Sequence, residues 1–465
     1  MSTPNAGYNP EKGPETRELL APPPPGPPGY YAVYQPPVVI PQDRPRNARR
    51  RRFWHFLACT FIFVGAMHLL ARQGHHTPLW YGGSPAQQQV SDDMYPYTPA
   101  QCSEAVNWTT DVAKHPDDFP FHAQTSFTLP VGAKELAFVA EGAQQYGHFE
   151  LSQTADAGSD EAIVDVHVSY YEPEALSDAT VCRLHPAEDD WGLGIFTPHW
   201  IPRPRTRRSL KFHVHVRLPA ADSDSPLKIE NLGTALPQFT HHIEDIGDTA
   251  YFELLRLKGS NTPVEAESVA GNLLLIKSTN GAIRGTYNTS TSLVLETSNA
   301  PISVNANLLN GNERPTILYA KTSNGLLDAA VTLATNTSDG TQGKYDVTTR
   351  SSNAPLRLTF LDAPVDSLLT ASAHTSNSPI HVTLHETYEG RFEGSTSSWF
   401  HPEVRWKPVE DPAGRGRKRY VQVETDKRGY IRGSAYWESG RGQRGSVSVD
   451  TSNSPLRLDL SKVDD

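Results

Sequence analysis

Cysteine is scarce in this chain. There are three in 465 residues, at positions 59, 102 and 182, too few for a disulfide-built scaffold, so stability has to come from a hydrophobic core. Cys59 falls within an apolar run, which leaves Cys102 and Cys182 as the candidate disulfide. The signatures of common catalytic sites are missing as well: no G-x-S-x-G, Walker A, H-E-x-x-H or C-x-x-C occurs. That lowers the weight of an enzyme without excluding one, and no cofactor is implied. No long amphipathic helix stands out. The hydrophobic fraction of 37% is low for one compact globule, because non-globular stretches dilute it.

Charge is missing where it matters most. Phe53 to Ala71 (FWHFLACTFIFVGAMHLLA) is a run of 19 residues without Asp, Glu, Lys or Arg; as a helix it spans roughly 28 Å, the thickness of a bilayer's hydrocarbon core. Arg46, Arg49, Arg50, Arg51 and Arg52 precede it, and Arg72 alone follows before a polar linker. The positive-inside rule then predicts a signal anchor with a cytoplasmic N-terminus and a lumenal or extracellular ectodomain, at the plasma membrane or in the secretory pathway. A tail of 52 residues is too long for the n-region of a cleaved signal peptide. The tail carries eight Lys/Arg and four Asp/Glu, while residues 72–465 carry 34 and 48. An acidic ectodomain repels phosphate and argues against nucleic acid as a partner. The proline runs of the tail (Pro22 to Pro25, Pro27, Pro28, Pro36, Pro37) suit a disordered chain, and such a chain can serve an SH3 or WW domain. Asn107, Asn288 and Asn336 head N-x-S/T sequons beyond the anchor, as a lumenal glycoprotein would have them.

One phrase recurs in the ectodomain: Ser-Thr-Asn280-Gly, Thr-Ser-Asn299-Ala-Pro, Thr-Ser-Asn324-Gly, Ser-Ser-Asn353-Ala-Pro, Thr-Ser-Asn377-Ser-Pro and Thr-Ser-Asn453-Ser-Pro. Weaker copies are read at Asn261, Asp224 and Arg428. From Asn261 onward the spacings are 19, 19, 25, 29, 24, 51 and 25, and the 51 is read as hiding one decayed copy. Three, five and seven residues past the Asn come apolar positions: Ile302, Val304, Ala306; Leu356, Leu358, Phe360; Ile380, Val382, Leu384; Leu456, Leu458, Leu460. This period of two predicts a strand with one buried face. Each phrase reads as a turn, with Asn in left-handed backbone, Gly for further φ freedom, and Pro entering the strand where its missing N–H costs least. Stacked copies would align the asparagines into an amide ladder. The expected fold is all-β, a β-solenoid-like ectodomain, with a β-sandwich of hairpins sharing turn chemistry as the alternative.

The repeated (T/S)-(T/S)-N-(G or x-P)-(I/L)-x-(V/L) phrase resembles the β-strand repeat of the adhesin family of short "TxNGxI" units, as carried by fungal membrane-anchored proteins. The resemblance covers about residues 224–460 and implies a solenoid-like fold with a surface or envelope role and no catalytic residues. This chain often has Ala-Pro or Ser-Pro where that family has Gly, and a basic insertion near 390–425 interrupts the row.

The expected organisation is a tail (1–52), an anchor (53–71), a linker (72–118), a β region or cap (119–220) and the repeat domain (221–465). Strands are predicted at Phe127 to Leu129, Leu136 to Val139, Ile163 to Ser169 and Leu210 to Leu218. His213 and His215 share one strand face and could offer two metal ligands, but no third has motif spacing, and no metal site is assigned. His241, His242, Glu244 and Asp245 read as a solvated loop. Asp189-Asp190 and Glu244-Asp245 are the carboxylate pairs open to glycoside hydrolysis. The basic clusters Arg203, Arg205, Arg207, Arg208 and Arg415, Arg417, Lys418, Arg419 read as solvated loops, able to meet anionic glycans, lipid headgroups or a dibasic protease. Together these features favour a non-enzymatic, adhesin-like interaction protein at a membrane, binding glycans or surface proteins. The competing reading is a membrane-anchored carbohydrate-active enzyme.

Overall fold

The computed structural model describes residues 97–462, apart from 112–118, 158, 200–207, 222–224, 312–313 and 427–428. The anchor 53–71, the tail, and the weak copies at Asp224 and Arg428 lie outside the described residues. Among the described residues no helix is long and apolar enough to cross a membrane. These residues belong to one compact unit, Gly82–Asp465. It is all-β: 27 strands, numbered here in chain order, form one continuous hydrogen-bonded system. Among the described residues the single short α-helix is α1 (Pro173–Ser177).

Period-two alternation puts one face of each strand inward, and the pairing arranges the strands in two long parallel ladders. The first runs β5 (Gln145–Ala157), β11 (Phe239–Asp245), the first half of β13 (Val264–Lys277), the first half of β14 (Ile283–Glu296), β15 (Ile302–Asn310), β17 (Leu327–Thr335), β19 (Leu356–Asp362), β21 (Ile380–Thr383), β27 (Leu456–Asp459) and β23 (Glu403–Arg405). The second runs β8 (Asp190–Phe196), β4 (Glu135–Glu141), β10 (Leu227–Ala235), β12 (Ala250–Lys258), the second halves of β13 and β14, β16 (Thr316–Lys321), β18 (Lys344–Arg350), β20 (Leu368–Thr375), β26 (Gly445–Thr451) and β22 (Gly390–Ser395). The chain passes from the second ladder to the first through each Asn phrase. Neighbouring copies pair in parallel, so the shared turn chemistry does not belong to hairpins. The inward residues of both ladders, from Ala123 to Leu460, form one core cluster.

Antiparallel strands close the ends of the ladders. At the N-terminal end β9 (Leu210–Ala220) still pairs in parallel with β5, and the antiparallel β6 (Glu161–Tyr170), β3 (Phe121–Pro130) and β2 (Thr109–Asp111) follow it outward. β7 (Thr180–Ala187) and β1 (Cys102–Ala105) do the same beyond β8. The end of the stretch assigned to the linker thus contributes two strands, and Cys102 of β1 is disulfide-bonded to Cys182 of β7 with 5.6 Å between the Cα atoms. At the far end β25 (Tyr430–Tyr436) and β24 (Tyr420–Asp426) lie antiparallel beyond β22. All four predicted strands of residues 119–220 are present and longer than expected, as β3, β4, β6 and β9.

The asparagines do form a ladder. The side-chain amide of Asn280 donates to Asn261 Oδ1 (2.7 Å), Asn299 to Asn280 (2.7 Å), Asn324 to Asn299 (2.8 Å), Asn353 to Asn324 (2.9 Å), Asn377 to Asn353 (2.9 Å) and Asn453 to Asn377 (3.1 Å). Their backbone N–H groups repeat the pattern, each donating to the carbonyl of the residue preceding or replacing Asn one copy back, as Asn324 does to Ser298 at 2.9 Å. Each such bond contributes about 1 kcal/mol net. Two details of the turn differ from expectation. None of these asparagines has positive φ; the non-glycine residues that do are Gln144, Gln342 and Asp366. Gly281 and Gly325 are not left-handed either. They are needed because a carbonyl oxygen of the preceding copy, from Thr262 or Ala300, sits 1.7 or 1.8 Å from where a Cβ would be.

The order of the last levels also differs. Asn453 bonds Asn377 directly, so no copy lies between them in the ladder. Instead β26 and β27 slot between β20–β21 and β22–β23, although they come last in the chain. The decayed copy is Thr396-Ser397-Ser398, at the outermost level. Its Thr396 hydroxyl donates to Ser454 O (2.7 Å), as Thr451 does to Ser378 O (3.3 Å) and Thr322 to Ala300 O (3.1 Å). Arg428 lies outside the described residues, between the antiparallel β24 and β25.

Candidate functional site

The strand that follows each turn starts after a proline, or after a residue in its place, and carries an outward side chain at its second position. Stacking therefore turns one sequence position into a row. Near the outer end of the first ladder the rows are Leu326, Pro355, Pro379, Pro455 and, beside them, Asp328, Arg357, His381, Arg457, Glu403. Together with His401 and Arg405 most of these residues line a groove of about 400 Å³. Leu326 is 43% exposed and Trp399, two residues before His401, is 89% exposed, an unusual position for an indole unless it meets a partner.

The groove is cationic with its acids already engaged. Asp459, almost fully buried, accepts from Arg457 Nε (3.0 Å) and lies 2.8 Å from His381 Nε2. Glu403 is held by Arg405 at 2.6 and 2.9 Å. Of the row's cations Arg357 is the most open: its side chain is 63% exposed and, among the described residues, reaches Asp328 at 3.5 Å. An extended acidic chain laid across the levels would meet a guanidinium or imidazole at three successive steps of about 4.8 Å, Arg357, His381 and Arg457, with Asp328 and Glu403 at the two ends of the row. Neither carboxylate lining or underlying the groove is free of a cation partner, whereas glycoside hydrolysis needs a protonated acid and a free base.

A larger groove, about 780 Å³, lies by the β3–β4 loop against β10, β12 and β13 and includes Glu230, Glu253, Asn231 and Asn272. Its amides are spent internally: Asn272 bonds Glu253, Tyr251 Oη and Ser290 Oγ, and Asn231 bonds Lys134 O. No cationic or aromatic row faces it.

Most residues singled out in the sequence fall elsewhere. Asp189-Asp190 lie at the β7–β8 turn and Glu244-Asp245 at the end of β11, and neither pair lines either groove. His241 is a core residue, not a loop residue; its Nε2 is 2.8 Å from Thr234 Oγ1, and burial depresses its pKa to about 4. His242 points out, 3.9 Å from Glu267. In the second basic cluster Arg415 and Lys418 are exposed as a solvated loop would have them, but Arg417 and Arg419 are not. Arg417 is 13% exposed and grips Asp411, 2% exposed, at 2.8 Å. The Arg419 guanidinium lies 5.7 Å from the centroid of Trp437, where burial lowers its pKa to about 10. In the first cluster Arg208 pairs with Asp178 and Glu172, and Arg203, Arg205 and Arg207 lie outside the described residues. Sequence reasoning missed the groove because its row exists only across copies 24 to 76 residues apart.

The sequons divide by geometry. Asn107 and Asn336 are exposed, whereas Asn288 sits in β14 with its amide donating to Ser268 Oγ (3.3 Å) and its carbonyl accepting from Asn307 (2.6 Å). In protein from a eukaryotic secretory host we expect Asn107→Gln and Asn336→Gln each to raise gel mobility by one glycan, and Asn288→Gln to leave it unchanged. A mobility gain with Asn288→Gln would contradict this placement.

No family model and no curated protein matches the chain. A solved structure described as a "putative cell adhesion protein", from Clostridium sporogenes ATCC 15579, aligns over 72% of this chain and 99% of that one, at 7% identity and a TM-score of 0.15. A likeness at that score carries no argument about this protein.

Proposed function

We propose that this chain is a membrane-anchored, non-enzymatic interaction protein, adhesin-like in role, whose repeats form a β-solenoid and whose outer groove binds acidic polysaccharide. The observation that carries the reading is the cationic row Arg357–His381–Arg457, with the exposed Trp399 two residues before the groove residue His401, on stacked strands whose nearby carboxylates are already engaged. Stacked parallel strands present such a row with fixed pitch, so little conformational entropy is lost on binding a chain. The anchor and its direction rest on the charge-free run 53–71 and its arginine flank.

The test is binding of the full-length protein, in detergent, to an array of uronate-bearing, sulfated and neutral polysaccharides, with product analysis. Binding to the acidic members is expected to fall at least tenfold with Arg357→Glu and with Trp399→Ala, and to weaken with salt. Equal binding to neutral and acidic chains, or none at all, would overturn the ligand class. New reducing ends would overturn the non-enzymatic reading.

A further inference from the structure

The outward face of β5, β9 and β6 gathers histidines that the groove does not use. His148 of β5 stands in register with His213 of β9, and His213 in register with His167 of β6. Their ring centroids are 6.4 and 6.5 Å apart, and His215 lies 6.3 Å from His213. His148, His213 and His167 are all exposed. The next row along the same face is Glu150, His215 and Asp165.

The hydrogen bonds leave lone pairs on this row. His213 Nε2 is 2.9 Å from Glu150 Oε2; with the proton on that nitrogen, Nδ1 is free to ligate, the arrangement in which a carboxylate orients a metal-binding imidazole. His215 is engaged at Nε2 with Ser152 Oγ, 2.8 Å away. No hydrogen bond within the described residues occupies His148 or His167. Desolvation, then His213 and Lys211, keep His148 below its ordinary pKa. Of the cations on this face of β9, Arg217 is paired with Asp165 and Lys211 stands beyond the row.

We propose that the His148–His213–His167 row is a surface site for a divalent transition-metal ion, with His213 as the shared ligand. As the side chains stand, no three ligating groups converge on one point among the described residues. The site is therefore one of two imidazoles completed by water. Imidazole donors select copper, nickel or zinc over magnesium and calcium. The site is independent of the groove and of its ligand.

Cupric ion titrated into the full-length protein, prepared without a histidine tag, tests this. Calorimetry is expected to show one tight equivalent, and electron paramagnetic resonance to show coupling to two imidazole nitrogens. His213→Gln should weaken binding at least tenfold, the double variant His148→Gln/His167→Gln equally so, and His374→Gln on the second ladder not at all. Unchanged affinity in His213→Gln, or coupling to a single imidazole, would overturn the site. Exposed residues are replaced, so melting curves are expected to stay put and to show that the fold is intact.

Discussion

A chain ended after Arg444 is expected to lose two levels of the stack, not one. The cut removes β26 and β27, which lie between β20–β21 and β22–β23. β23 then has no strand partner, and β22 keeps only the antiparallel β25. The inward side chains Val447, Val449, Leu456, Leu458 and Leu460 are all within 2% of full burial, and their loss together removes on the order of 10 kcal/mol of apolar burial. Limited proteolysis should cut the segment 389–444 at least tenfold faster in the shortened chain, while 120–383 stays protected. Equal protection in both chains would mean that the outermost strands do not depend on the interleaved pair.

Acid should weaken the fold through one buried imidazole. His241 is fully buried, and burial lowers its pKa from 6.5 to about 4. Between those values the unfolded chain binds a proton that the folded chain does not, so stability rises with pH there. His241's contribution is therefore fully present above pH 6.5, falls as pH drops towards 4, and levels off below it. The span corresponds to about 3 kcal/mol. Unfolding free energies of the wild type and of His241→Leu, from urea titrations between pH 7.5 and 4, should diverge by that amount, the variant being flatter. Parallel curves would show that another group governs the acid response.

His241 also marks the limit of what could be read from the sequence. Phe239, His241 and Ile243 alternate inward along β11, so the period-two signal was there. A dense run of His, Glu and Asp drew the reading towards a loop instead. The Asn phrase was more legible, because a fixed turn followed by a strict alternation determines both where each strand starts and which face it buries. Leu356, Leu358 and Phe360 lie where that pattern put them. The copy at Thr396 escaped because Ser398 replaced the asparagine, and only the threonine's bond to Ser454 retains the pattern. The strand order at the end could not be read at all: β26 follows β25 in the chain but sits two ladder positions inside it, and no local propensity records that. β5 and β8 were missed for a milder reason. Gly147, Gly192 and Gly194 occupy strand positions where neighbouring atoms leave no room for a Cβ, and they blur the apolar alternation.

The amide ladder also works as a measure. From Asn261 to the level of Thr396 there are eight levels, joined by the asparagine bonds and then by Thr396's bond to Ser454. At roughly 4.8 Å per level that is a height of about 34 Å. A copy gained or lost would move Trp399 nearer to or farther from β5 by one such step, while leaving each turn's contacts as they are. How far out the cationic row is held is thus set by counting, and lineages could adjust it in whole units without redesigning the groove.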